Sequence, residues 1–116
     1  MGDPLSGDEI ENEIRNNKIM IYMKGTPSFP QCGFSAATIE VFEDLGRPFG
    51  SVDILSQPAK REAIKRFSNW PTIPQVYVDG KFIGGCDIVR EMLEAGELTA
   101  MFDEKGVPYD KSKLLA

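Results

Sequence analysis

The chain of 116 residues contains no histidine and only two cysteines, Cys32 and Cys86. A mononuclear zinc or other nitrogen-sulfur metal site therefore cannot be completed within one copy, and any such metal must borrow ligands. Two cysteines in a chain without an export signal do not make a disulfide framework either, because reducing compartments keep thiols free. No run of lysine and arginine stands out. Eighteen acidic against thirteen basic residues give a formal charge of -5, which removes nucleic acid from the expected partners. The longest unbroken apolar run, from Ile19 to Met23, is far too short to cross a bilayer. The first residues have neither the basic start and apolar stretch of a secretory signal nor the arginine-rich character of a transit peptide. The expectation is a soluble protein without membrane contact, in the cytoplasm, or in an organelle matrix if a transit peptide has been removed. With 41% apolar and 27% charged residues, the composition is that of one globular domain with a single core.

Hydrophobic period and punctuation predict the elements. Asp8 to Asn17 sets Ile10 and Ile14 four apart behind candidate caps at Ser6 and Asp8, a short helix with one face on a core. Lys18 to Met23 reads as a central strand covered on both faces. Gly25 to Gln31, with two prolines, must be a loop. A helix then runs from Gly33 to Leu45, placing Phe34, Ala37, Ile39, Val41, Phe42 and Leu45 at mainly helical spacing, and Gly46 with Pro48 stops it. Phe49 to Ile54 is a short strand. Ser56 or Gln57 caps a helix with Pro58 in its first turn and Ala59, Ala63, Ile64 and Phe67 inward. Trp70 to Pro74 breaks that helix, Gln75 to Val78 is a strand, Asp79-Gly80 is a hairpin turn, and Lys81 to Ile83 returns. Asp87 is the expected N-cap of a helix from Ile88 to Ala95, with Ile88, Met92 and Leu93 inward and Gly96 closing it. From Glu97 a weaker helical turn leads into a loose end. The division is a helical lead-in at 1–17, the main domain at 18–105 and a polar tail at 106–116. The order, a βαβ unit, a linking helix and a ββα unit, is the α/β layout of the thioredoxin fold: a four-stranded mixed sheet with helices on both faces.

A thiol is nucleophilic only as thiolate. A loop that delivers Cys32 to a helix N-terminus surrounds it with free backbone N–H groups and the positive end of the dipole, which stabilise that form. Gly33 lets the backbone come close, and Ser35 occupies the place where a Cys-x-x-Cys pair would put its resolving sulfur. Cys86, after two glycines and at a helix start, has three open readings: a second thiolate, a disulfide partner of Cys32 under oxidation, or a small residue lining a pocket, the last being favoured. Trp70 and Phe34 are expected to pack rather than react.

Lys24-Gly-Thr-Pro27, Cys32-Gly-Phe-Ser35, Trp70-Pro-Thr-Ile-Pro74 and Gly84-Gly-Cys-Asp87 resemble, in order and separation, the signature segments of the monothiol, CGFS-type glutaredoxins. The likeness covers nearly the whole chain and implies a glutathione site. Glutathione carries two carboxylates and an ammonium, so its pocket needs cations, backbone donors and one anion around a sulfur. By similarity Lys24 and Arg61 meet the glycyl carboxylate, the backbones of Thr72 and Ile73 pair with the cysteinyl part, and Cys86 and Asp87 bind the glutamyl end. Gly33, Phe34, Pro74 and Gly85 complete the set, with Ile73-Pro74 resembling the fold's cis-proline turn. The resemblance further implies a [2Fe-2S] cluster held by Cys32 of two copies and two glutathione thiols, four thiolates at a two-fold interface, and transfer of that cluster to iron-sulfur acceptor proteins. Two other roles stay open: glutathione-dependent thiol-disulfide exchange through Cys32, at which CGFS members are generally poor, and a mixed dimer with a BolA-like protein.

Overall fold

A computed structural model describes residues 7–110. Among them are α1 (Gly7–Asn16), β1 (Ile19–Met23), α2 (Gly33–Asp44), β2 (Gly50–Asp53), α3 (Pro58–Ser68), β3 (Gln75–Val78), β4 (Lys81–Gly84), α4 (Cys86–Glu94) and α5 (Glu97–Lys105). The sheet runs β2-β1-β3-β4. β1 lies parallel to β2, with Met20 opposite Gly50 and Met23 opposite Asp53, and antiparallel to β3, with Tyr22 opposite Gln75. β3 and β4 form the hairpin around Asp79-Gly80, where Asp79 and Gly80 both have positive φ, as a tight two-residue turn requires. This is the mixed sheet of the thioredoxin fold. No helix among the described residues is long and apolar enough to cross a membrane.

Every residue of β1 is buried, so its alternate side chains feed two cores. Ile19, Ile21 and Met23 join Ile39, Phe42, Val76, Val78, Val89, Leu98 and Phe102 beneath α2, α4 and α5. Met20 and Tyr22 join Ile10, Ile14, Val52, Ile54, Ala63, Ile64 and Tyr77 beneath α1 and α3. Each fully buried side chain of this size contributes about 1.5–3 kcal/mol, and loss of either layer would expose one whole face of the central strand.

The structure departs from the sequence reading at several element ends. The candidate cap Ser6 and the side chain of Asp8 lie outside the described residues. Gln57, not Ser56, is the cap residue of α3, with no side-chain capping bond; the Ser56 hydroxyl donates to the Asp53 carbonyl. α4 starts earlier than expected: Gly84, at φ +141°, turns the chain, Gly85 takes the extended cap position, and Asp87 sits inside the first turn rather than at the cap. Cys86 and Val89, not Ile88, are the buried residues of that turn; Ile88 is 36% exposed. Gly96, at φ +78°, lies one residue past the C-cap Ala95 and also caps α5, so one left-handed residue both ends a helix and begins the next. α5 is a full helix, and the chain just beyond it is held: Val107 is buried, Tyr109 packs on Phe102, and Arg47 Nη1 donates to the Pro108 carbonyl.

Candidate functional site

The Gly25–Gln31 segment is tied at both ends. Gln31 N–H donates to the Lys24 carbonyl at 2.9 Å, and Gly25 N–H donates to Asp53 Oδ1 at 2.9 Å. A side chain at Gly25 would meet the Phe29 carbonyl at 2.5 Å, so the loop closes tightly only around glycine. Cys32 follows in extended backbone as the N-cap of α2, with no side-chain capping bond. Its sulfur instead lies against the helix start. The backbone N–H of Ser35 is the chief cause of a thiol pKa below the ordinary value; partial burial opposes it, and the Phe34 N–H, the Lys24 charge and the Ser35 hydroxyl add to the lowering. Ser35, standing where a resolving cysteine would, is fully buried, and its hydroxyl accepts the Lys24 N–H at 3.1 Å. It holds the loop to the helix.

A cleft of about 490 Å³ opens beside this thiol, within the range that takes a small peptide. Lys24, Cys32, Phe34, Arg61, Thr72, Ile73, Pro74, Gly85, Cys86 and Asp87 all line it; Gly33, the remaining expected residue, is exposed beside Cys32 with no heavy atom within 4 Å of where a Cβ would stand. The Ile73-Pro74 peptide is cis. Gly85 approaches the Pro74 carbonyl so closely that a Cβ would stand 3.1 Å from it, which joins the start of α4 to the proline turn. Cys86 is 6% exposed and is a small residue in the wall. Phe34 does not pack as expected: it is 63% exposed, because it sits on the first turn of α2, on the open side of the cleft. Trp70 does pack, its ring 5.7 Å from that of Phe82.

Sequence reasoning missed Lys65, which also lines the cleft. Its signal was available, since Lys65 lies four residues after Arg61 on α3 and so on the same face. Three cations therefore line the cleft, with Asp87 as the single carboxylate there among the described residues. Two buried donors on the wall, Arg61 Nε and Trp70 Nε1, have no hydrogen-bond partner among the described residues. The arrangement can receive a peptide with more than one carboxylate and bring its sulfur next to Cys32.

Residues 19–83 match the glutaredoxin family. Glutaredoxin 4 of Haemophilus ducreyi is 50% identical over 102 residues, spanning 88% of this chain and 95% of that one. Probable monothiol glutaredoxin 2 of Rickettsia conorii is 47% identical over 92 residues, spanning 79% and 86%. This chain belongs to the monothiol glutaredoxins. A crystal structure of buckwheat glutaredoxin in complex with glutathione superposes with a TM-score of 0.77 at 25% identity, over 90% of this chain and 91% of that one. The monothiol character stands at the site itself: half-buried Cys32 is followed three residues on by Ser35, where a dithiol member would place its second sulfur.

Proposed function

We propose that this glutaredoxin binds glutathione in the Cys32 cleft and that two copies, each with one glutathione, carry a [2Fe-2S] cluster for delivery to acceptor proteins in iron-sulfur cluster assembly. The observation that carries the reading is one cleft that brings Lys24, Arg61 and Lys65 together with one carboxylate, Asp87, beside a low-pKa thiol whose Cys-x-x-Cys partner position is held by Ser35. Glutathione fits this donor set: cations for its carboxylates, Asp87 for its ammonium, and the Thr72-Ile73-Pro74 backbone for an extended peptide. Four thiolates are then supplied by two Cys32 and two glutathione sulfurs. Exposed Phe34 and Ile88, beside the thiol, are apolar surface that a second copy would cover. A BolA-like protein takes the place of the second copy in the mixed form, and the setting is a reducing compartment, the cytoplasm or an organelle matrix. Because half of the ligands are exchangeable small molecules, the cluster leaves more readily than one held by four protein cysteines.

The test is anaerobic reconstitution with iron and sulfide, with and without glutathione, following visible absorption and molecular mass for the wild type and Cys32→Ser. A glutathione-dependent cluster that accompanies a dimer and disappears in Cys32→Ser is the expected result. A colourless monomer under every condition would overturn the carrier reading. The lowered Cys32 pKa favours a second reading in that event: Cys32 thiolate attacks the mixed disulfide of a glutathionylated protein, releases the protein thiolate, and is itself released by a second glutathione, which leaves as glutathione disulfide.

A further inference from the structure

Gln75 is the first residue of β3, fully buried, on the sheet face it shares with Tyr22 and Tyr77, which belong to the α1/α3 core together with Ile64 of α3. A buried amide is costly unless its groups are bonded. Here they are: Nε2 donates to the Trp70 carbonyl at 2.9 Å and to the Thr72 carbonyl at 3.2 Å, while Oε1 accepts the Tyr77 hydroxyl at 3.3 Å. Both amide hydrogens are used, so the orientation is fixed; a flipped amide would set its oxygen against two carbonyl oxygens. The two carbonyls bracket Pro71, in a segment between α3 and β3 that has no ladder to satisfy them. The same segment is tied at its start by Trp70 N–H donating to the Ser68 hydroxyl at 3.1 Å and by the Trp70 ring on Phe82.

We propose that Gln75 is a positioning residue for glutathione, its side chain gripping the Trp70 and Thr72 carbonyls from the core side so that the Thr72-Ile73-Pro74 backbone is pre-formed for the ligand. The inference rests on the reading of the cleft as a glutathione site. A segment already ordered binds without the cost of ordering it at that moment, which is the usual origin of affinity through residues that never touch a ligand. Gln75 lines no part of the cleft. When its amide is removed, the two carbonyls must find water, and the ligand must order the segment itself.

Reduced glutathione is titrated into ¹⁵N-labelled wild type, Gln75→Met and Gln75→Asn, followed by NMR where each protein is folded. The methionine preserves volume without the donors; the asparagine keeps the amide on a stem too short to reach both carbonyls. Binding weaker by roughly tenfold in both is expected, the scale of two lost hydrogen bonds. The pH profile of Cys32 alkylation should stay unchanged, since its donors come from α2. Affinities within twofold of the wild type would overturn the proposal. A wild type that binds no glutathione would overturn the reading of the cleft instead. If neither variant folds, hydrogen exchange of the Gln75 side-chain amide in the wild type decides. Coupling is reciprocal, so saturating glutathione should slow that exchange, and an unchanged rate would overturn the proposal.

Discussion

Cys32 owes its acidity first to the backbone N–H of Ser35 and only in part to the Lys24 charge. The order of these causes makes a prediction. A lowered pKa means that thiolate persists to lower pH than in a free thiol, so the rate of Cys32 alkylation by iodoacetamide should rise through a midpoint below the ordinary thiol value of about 8.5. Lys24→Met should move that midpoint up without restoring it, because the Ser35 and Phe34 donors remain, and should weaken glutathione binding roughly tenfold through the lost charged contact. Mass spectrometry separates Cys32 from the buried Cys86. An unmoved midpoint would remove Lys24 from the account. Most of this site was legible in the sequence, because the thiol, its glycine, the proline turn and Asp87 occupy contiguous motifs. Lys65 and Gln75 were not. One is placed by the facing of α3 and the other works from inside the core, where a glutamine in a strand looks like any polar residue at an edge.

At the scale of elements, the join between α1 and α3 depends on a charge. Lys60 is 2% exposed, and its Nζ donates to Glu9 and, at 2.6 Å, to Glu13 Oε2, whose other oxygen accepts the Tyr22 hydroxyl at 2.7 Å. Burial alone would depress the lysine, but the hydrogen bonds and charges of Glu13 and Glu9 outweigh it and hold the pKa above the ordinary range. A buried partner removed from such a group is costly, while the side chains of Glu9 and Glu13, 41% and 23% exposed, keep some water, so Lys60→Met should lower stability by about 2 kcal/mol. A raised lysine pKa stabilises the fold fully below the unfolded value of about 10.4 and loses its effect only as pH rises through the higher folded value. The gap between wild type and Lys60→Met in urea unfolding should therefore be as large at pH 9.5 as at pH 7. A gap that closes over this interval would rule out the ion pair as its source. Sequence period found the strands and helices because apolar spacing determines burial, and it set α1 on the core through Ile10 and Ile14. It could not find Lys60, since a lysine between apolar positions reads as a solvated charge until its carboxylate partners, 47 and 51 residues away, are brought beside it. The cap of α4 was misread for a related reason: Gly84 and the approach of Gly85 to Pro74 outrank the capping preference of Asp87.

The whole molecule sets two fields against each other. Its formal charge is -5, which repels an anionic ligand at long range, yet the cleft gathers Lys24, Arg61 and Lys65 against Asp87 alone. Glutathione at neutral pH carries two carboxylates and one ammonium and is a net anion. Salt screens both fields, with a Debye length of about 10 Å at 0.1 M, so the sign of the salt effect tells which field governs binding. The cleft charges lie along the ligand itself, whereas the excess acidic residues are spread over a body measuring 44 × 27 × 22 Å, most of it beyond one Debye length. The local field should win. Raising salt from 0.05 to 0.5 M should weaken glutathione binding by roughly three- to tenfold, measured by the same NMR titration, and Lys65→Gln should flatten that dependence while leaving a weaker site. If binding instead tightens with salt, the acidic body dominates, and the three cations cannot be the source of anion selectivity in this glutaredoxin.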